Sequence, residues 1–338
     1  MTEPPGLEDR DVADFASRIG LGRAADMRLS RLSGGVSSDV WKVEGTKGTV
    51  CVKRALPTLR VATRWEVPVE RGQFEARWLK TASGIVPHSV PQIVDYEPHS
   101  FLLAMQFFPP EKFPNWRAEL LEGRVNPRIA GLLGEMIGKI HSSTADKPEI
   151  AKSFQSDALF DALRLDPYFR SLRDTHHDLA DRLDKIVERT ATCRRVLVHG
   201  DVSPKNVLVG IDGPILLDAE CAWFGDPAFD VAFLCTHLLL KLSVVPGKAL
   251  LLRQAYAEYL AGYDSYIAWE PRNDLHARAG DLLAAMLLAR TDGKSPVDYL
   301  PPATRSMARR FAVNMLTDSS NSPNSILDAW VSVLDSRT

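Results

Sequence analysis

The sequence predicts an α+β protein, with a small β-rich N-terminal part followed by a larger, mainly helical C-terminal part. Two observations carry this. Short valine-rich runs at 40–44 and 49–55 flank a glycine turn at 45–48, the pattern of paired strands. After Phe107-Phe108-Pro109-Pro110 the apolar residues recur instead at three- and four-residue intervals, the pattern of helices. The chain has 338 residues, 45% of them apolar and 25% charged, a globular composition with room for about two domains.

In chain order, Leu7, Val12, Phe15 and Ile19 predict an amphipathic helix over 7–21. Two strands follow at 40–44 and 49–55, then a helix over 66–82 and strands at 91–96 and 100–106. The boundary is expected at 108/109, giving lobes of residues 1–108 and 109–338. Ile129, Leu132, Leu133, Met136, Ile137 and Ile140 form one stripe, and Asn126-Pro127 provides an N-cap and first helical position, so 126–141 is read as a helix. Further helices are expected at 178–190, 227–241, 247–263, 272–290 and 302–316, with a last short one at 326–334 after a polar linker. Short apolar runs at 196–198, 206–209 and 214–217 read as strands flanking a loop.

Lys plus Arg number 41 and Asp plus Glu 43, so no global positive field favours nucleic acid. Cys51, Cys193, Cys221 and Cys235 match neither a metal clip nor a disulfide framework, which fits a reducing compartment. The N-terminus lacks the regions of a signal peptide. The most apolar run, 231–245, is too short for a bilayer and carries His237 and Lys241, so it reads as a core helix. A soluble, cytoplasmic monomer or homodimer, with neither membrane nor nucleic acid as a partner, is expected.

The chemistry concentrates in Val196-Leu-Val-His-Gly-Asp-Val-Ser-Pro-Lys-Asn-Val-Leu-Val209 and Ile215-Leu-Leu-Asp218. One strand delivers His199-Gly200-Asp201 into a turn. Asn206 opens the next strand and Asp218 ends a third, so the three polar residues can converge. Phosphoryl transfer needs such a set, a carboxylate to orient the attacking hydroxyl and hard oxygen ligands for Mg²⁺.

At these residues the chain resembles the aminoglycoside phosphotransferase/choline kinase superfamily, whose loop reads His-Gly-Asp-x4-Asn before an apolar strand ending in Asp. Gly225-Asp-Pro-Ala-Phe-Asp-Val-Ala232 matches a second signature of that superfamily. The resemblance covers roughly residues 28–300. It implies a protein-kinase-like bilobal fold, Asp201 as catalytic base, Asn206 and Asp218 as Mg²⁺ ligands, His199 bracing the loop, and Asp230 supporting it through hydrogen bonds. It further implies a nucleotide site in the N-terminal lobe. Gly34, Gly35, Ser37 and Ser38 lie in a Gly-Gly-x-Ser loop suited to phosphates, and Lys53 would reach the ATP phosphates. Glu75, in Phe74-Glu-Ala-Arg-Trp-Leu79, is the favoured partner of Lys53, with Glu70 the alternative. Gln106 and Phe108 occupy the strand and hinge where this fold holds adenine.

Asp218 is followed by Ala219-Glu220-Cys221-Ala222, and Gly225-Asp226-Pro227 comes too soon for an activation loop, which disfavours a protein kinase. The expected activity is therefore ATP- and Mg²⁺-dependent transfer to the hydroxyl of a small molecule such as an aminoglycoside, amino alcohol, sugar or acidic metabolite. The alternative is a non-catalytic nucleotide-binding regulatory protein on the same fold. Glu220, Asp226 and residues 289–300 are candidates for lining the acceptor pocket. Arg290 and Lys294 stand there beside Asp292 and Asp298, so the segment gives no vote on acceptor charge.

Overall fold

The computed structural model describes residues 7–32, 35–60, 65–318 and 321–336. The chain forms two units, Met1–Pro109 and Pro110–Thr338.

In the first unit, helix α1 (Leu7–Arg18) is followed by β1 (Arg28–Arg31), β2 (Ser38–Gly45), β3 (Gly48–Ala55), α2 (Arg71–Ser83), β4 (Ile93–Glu97) and β5 (Leu102–Gln106). The strands make one antiparallel sheet in the order β1-β2-β3-β5-β4. Val12 and Phe15 of α1 pack on Trp41, Val43, Val52, Leu102 and Ala104, so the period of the helix meets the alternation of the strands in one core. β1 escapes the sequence pattern because Arg-Leu-Ser-Arg lacks an apolar alternation, and it survives as an edge strand on β2. The helix expected from residue 66 starts at Arg71. Pro68 disfavours a helical Val67, and Glu66 instead bridges Thr58.

The second unit begins with α3 (Trp116–Leu121) and α4 (Pro127–Thr144). Three short pieces follow, α5 (Pro148–Ser153), α6 (Asp157–Phe160) and α7 (Asp166–Tyr168), with a π-helical turn at Asp161–Leu165. After α8 (Ala180–Thr192) come the small strands β6 (Val196–Val198), β7 (Val207–Val209), β8 (Pro214–Leu216) and β9 (Trp223–Gly225). They pair antiparallel as β6 with β9 and β7 with β8. The chain ends in α9 (Ala228–Leu242), α10 (Ala249–Asp264), α11 (Arg272–Asp292), α12 (Pro302–Thr317) and α13 (Pro323–Asp335).

Local signals explain several of these boundaries. The Asn126 side chain accepts the Arg128 N–H at the start of α4. Ser322 and Ser325 exchange hydrogen bonds in a capping box at the start of α13. Every residue of α9 is buried, in keeping with its apolar run. α9 packs against α10, α11 and α13, and Trp330 Nε1 on α13 donates to the Leu239 carbonyl at 2.9 Å. No described helix is long and apolar enough to cross a membrane.

Candidate active site

In the second unit, two hairpin-like pairings bring the polar residues of the loop together. β6 ends at Val198 and releases His199, Gly200 and Asp201. Asn206 stands immediately before β7, and Asp218 two residues beyond the end of its partner β8, so the β7–β8 ladder puts both at one end. Backbone bonds fasten that end. The Leu217 N–H donates to the Asn206 carbonyl at 2.8 Å, and the Asn206 Nδ2 donates to the Asp201 carbonyl at 3.0 Å. Nδ2 is thus engaged within the loop, and Oδ1 is the acceptor atom of the Asn206 side chain. Asp218 has φ 67°, a left-handed conformation that a residue with a side chain adopts at a cost, as at many functional sites.

His199 is a brace whose protons can be assigned. Burial pushes its imidazole below the usual histidine range, so it is neutral at pH 7. Its Nδ1 accepts the Asp201 N–H at 3.1 Å. The remaining proton therefore sits on Nε2 and is donated to the Leu217 carbonyl at 3.1 Å. A second layer lies beneath. Asp230, in the first turn of α9, accepts the N–H groups of His199 and Gly200, both at 2.8 Å. Burial raises the Tyr263 phenol, so it stays protonated and donates to His141 Nδ1 at 2.9 Å. His141 Nε2 then donates to Asp230 at 3.2 Å. Gly200 has φ 78°, and a Cβ there would meet the Cys221 carbonyl oxygen at 2.7 Å, so the turn requires glycine.

Asp201 itself is buried between two cations. Arg164 Nη2 and Lys205 Nζ each lie 3.0 Å from its Oδ2. Burial alone would raise the Asp201 carboxyl, but the Lys205 ammonium and the Arg164 guanidinium hold it well below the usual carboxylate range. Lys205 is half exposed, whereas Arg164 is buried and also donates from Nε to the Gly200 carbonyl at 2.5 Å.

In the first unit, Lys53 on β3 and Glu75 on α2 form a buried ion pair at 2.8 Å, while Glu70 is exposed at the N-cap of α2. Lys53 pairs across the sheet with Val40 of β2, at the end of that strand where the glycine loop enters. Gly34 lies outside the described residues. At Gly35 a Cβ would meet the Ser38 carbonyl oxygen at 2.2 Å, so the loop closes too tightly for a side chain. The Ser37 carbonyl accepts from Leu56 N–H at 2.9 Å and from Arg71 at 2.5 Å. Ser38 is 2% exposed, yet its hydroxyl has no hydrogen-bond partner among the described residues. Gln106 closes β5, and its N–H donates to the Gln92 carbonyl at 2.8 Å, so this hinge donor is consumed within the sheet. Phe108 lies beyond the strand, half-buried.

Two supporting residues went unread in the sequence. Arg164 stands in a stretch without clean periodicity, and the π-helical turn that aims it leaves no compositional mark. Arg71 is fully buried and ties the carbonyls of Ser37, Leu56, Val67 and Pro68 together, a role hidden behind an ordinary helix charge. One expectation is overturned. Asp226 does not line a pocket, because it is wholly buried, binds Arg278 at 3.0–3.1 Å and caps the Ala228 N–H at 3.0 Å. The thiols offer no nucleophile, since burial raises Cys51 and Cys193 to about 12.

Comparison with known proteins agrees with this architecture. The chain is 27% identical over 255 residues to a methylthioribose kinase of Escherichia coli, covering 67% of this chain and 60% of that protein. It is 26% identical over 266 residues to a methylthioribose kinase of Geobacillus kaustophilus, covering 70% of this chain. It thus spans 60% to 66% of the length of these curated relatives. Among solved structures it is similar to a choline/ethanolamine kinase family protein from Mesorhizobium loti, with a TM-score of 0.58 and 16% identity over 96% of this chain and 99% of that one. A second is an amicoumacin kinase solved with AMP-PNP, Ca²⁺ and Ami, with a TM-score of 0.55 and 16% identity over 92% of this chain and 95% of that one. These similarities show a kinase-like fold, in which this chain has a small antiparallel sheet part and a larger helical part. The model of the phosphotransferase enzyme family matches residues 28–269, most of the chain, and the chain belongs to that family.

Proposed function

We propose that this chain is an ATP- and Mg²⁺-dependent small-molecule kinase that phosphorylates a hydroxyl group. The observation that carries the reading is the loop in which Asp201, Asn206 and Asp218 are fastened to one strand end, with Asp201 held ionised. The methylthioribose kinases among the relatives, and the choline/ethanolamine and amicoumacin kinases among the structural neighbours, support it.

The donor set suits Mg²⁺. Asn206 and Asp218 offer two hard oxygen ligands, and Mg²⁺ takes few ligands from protein when phosphates and water supply the rest. Among the described residues no cluster of three or more His, Cys, Asp or Glu side chains forms an all-protein cage. Bound Mg²⁺ would neutralise charge on the phosphates during transfer. The Ser38 hydroxyl, without a partner among the described residues, and the Gly35 close approach fit a phosphate cradle. Lys53, oriented by Glu75, is assigned to the phosphates. Phe108 and Gln106 are assigned to the adenine side, with Gln106 acting through groups other than its N–H.

Asp201 orients the acceptor hydroxyl for in-line attack. The acceptor oxygen bonds to the γ-phosphorus as the β–γ bridging bond breaks, ADP leaves, and the hydroxyl proton passes through Asp201 to water. Because Asp201 is a weak base here, orientation dominates its role, which a loose transition state tolerates. Residues 1–108 are read as the nucleotide lobe and 109–338 as the catalytic and acceptor lobe. The free cysteines fit a cytoplasmic setting. The test is ADP release with Mg²⁺-ATP across hydroxylated small molecules, with product mass showing phosphoryl addition. Turnover by Asp201→Asn equal to wild type would sink the assignment.

A further inference from the structure

One face of α9 carries a lysine with no ion-pair partner among the described residues. Lys241 is 1% exposed, and no carboxylate lies within ion-pair range of it among the described residues. Its Nζ sits 4.8 Å from the centre of the Tyr299 ring. Arg290 on α11 is half-buried and, among the described residues, its hydrogen bonds go to neutral acceptors, the Tyr168 hydroxyl at 3.1 Å and the Ser295 carbonyl and hydroxyl at 2.5 and 3.3 Å. Its Nε has no partner among the described residues, nor does the buried hydroxyl of Tyr299. Arg117 on α3 lies 5.6 Å from the same Tyr299 ring and is paired with Asp298 at 2.5 Å. Burial first, and then Arg117 and Arg290, pull Lys241 down to about 7, with Asp298 opposing. Burial likewise pushes His237, one turn earlier on α9, well below the usual range, so it is neutral.

This cluster is tied to the reaction loop. Arg164, ion-paired with Asp201, lies 5.6 Å from the Tyr168 ring, and Arg290 lies 5.7 Å from that ring. Arg164 also lies 5.6 Å from the Phe233 ring, which packs on His237 at 5.5 Å. Buried charges are seldom left unpaired, and a cation with unfilled polar neighbours close to a reaction centre is the arrangement of a ligand site.

We infer that Lys241, Arg290 and the Tyr299 hydroxyl bind an anionic group of the acceptor, a carboxylate or a phosphate, so that the preferred substrate is a hydroxy acid or a phosphorylated alcohol. The inference rests on the phosphotransfer reading above. A polycationic acceptor would meet like charge here. A bound anion supplies the missing counter-charge and restores Lys241 to its charged form.

The test is ADP release with Mg²⁺-ATP over matched sets: glycerate, gluconate and glycerol phosphate; their neutral counterparts glycerol and glucose; and the cations choline and kanamycin. The expected result is kcat/KM for an anionic acceptor at least about tenfold above its neutral counterpart. Preference for glycerate or gluconate assigns a carboxylate, and preference for glycerol phosphate a phosphate. Lys241→Met should raise the anionic acceptor's KM about tenfold or more with a smaller change in kcat, and Lys241→Arg should recover part of it. Wild-type KM for that acceptor should rise as pH passes upward through about 7, a dependence the Lys241→Met enzyme should lack. Of the other groups facing Lys241 beside Arg117 and Arg290, Asp298 is held low first by its bond to Arg117, and burial raises Tyr299 to about 12. A purely structural lysine would shift thermal stability without this split. Should Lys241→Met fail to fold, Arg290→Met carries the same KM test. Turnover of choline, kanamycin or the neutral compounds in preference, at a KM that neither variant alters, would overturn the inference and leave phosphotransfer standing. ADP release from none of the sets, with Mg²⁺-ATP still bound, would overturn phosphotransfer and this inference together.

Discussion

The two units fix their candidate reactive charges by opposite means. In Met1–Pro109 a cation, Lys53, projects from a regular strand and meets a carboxylate, Glu75, on a regular helix. In Pro110–Thr338 an anion, Asp201, sits in an irregular loop and is held by two cations, a histidine brace and two backbone N–H bonds to Asp230. Regular elements place a side chain largely by their periodicity. A loop has no repeat to lean on, and its position must be built bond by bond from neighbours. The first arrangement should therefore fail locally and the second collectively.

The most damaging change should be Asp201→Asn. Turnover should fall by about 10²–10⁴-fold while ATP affinity holds, measured by ADP release and nucleotide titration. Arg164→Met should come next, costing about 3–5 kcal/mol in urea unfolding because it leaves Asp201 buried with only the half-exposed Lys205. If that variant were as stable as wild type, the loop would not depend on its collective supports. Glu75→Gln should act more narrowly, raising the KM for ATP by about tenfold with little change in unfolding of the larger unit. The smallest effect should be the pH response of stability. The folded-state pKa of His199 is depressed, so the unfolded chain binds the extra proton first. Stability contributed by neutral His199 is complete above about pH 6.5 and is lost as pH falls toward the folded value. His237 adds a parallel share. Urea midpoints measured across that range should fall with pH, and His199→Gln should flatten the slope.

The same contrast explains what could be read in advance. Lys53 and Glu75 were legible because alternation along β3 and the position of Glu75 one turn before Leu79 constrain where those side chains lie. Asp201, Asn206 and Asp218 were legible by spacing, since short apolar runs on either side fix the chain direction. Arg164 was not, because its aim depends on a π-helical turn and on a partner 37 residues away. The start of α2 was misplaced by the one proline inside an otherwise helical pattern, and β1 was missed because an edge strand can be almost wholly polar. Asp226 was misassigned because sequence offers no sight of Arg278, which consumes it.

Helix α9 has a consequence of its own. It is buried along its whole length, and it carries Asp230 in its first turn and Lys241 in its last. At 1.5 Å per residue these two lie about 16 Å apart along the axis, on a rod that packing keeps from bending or sliding. On the inferred anion site the helix would work as a ruler, with the reaction loop secured at one end and the acceptor's anionic group held at the other. A longer or shorter acceptor would then be matched by a cation placed a whole turn, about 5.4 Å, along the helix. Relatives adapted to other acceptors would then differ by relocating charge along this helix, leaving its backbone where it is.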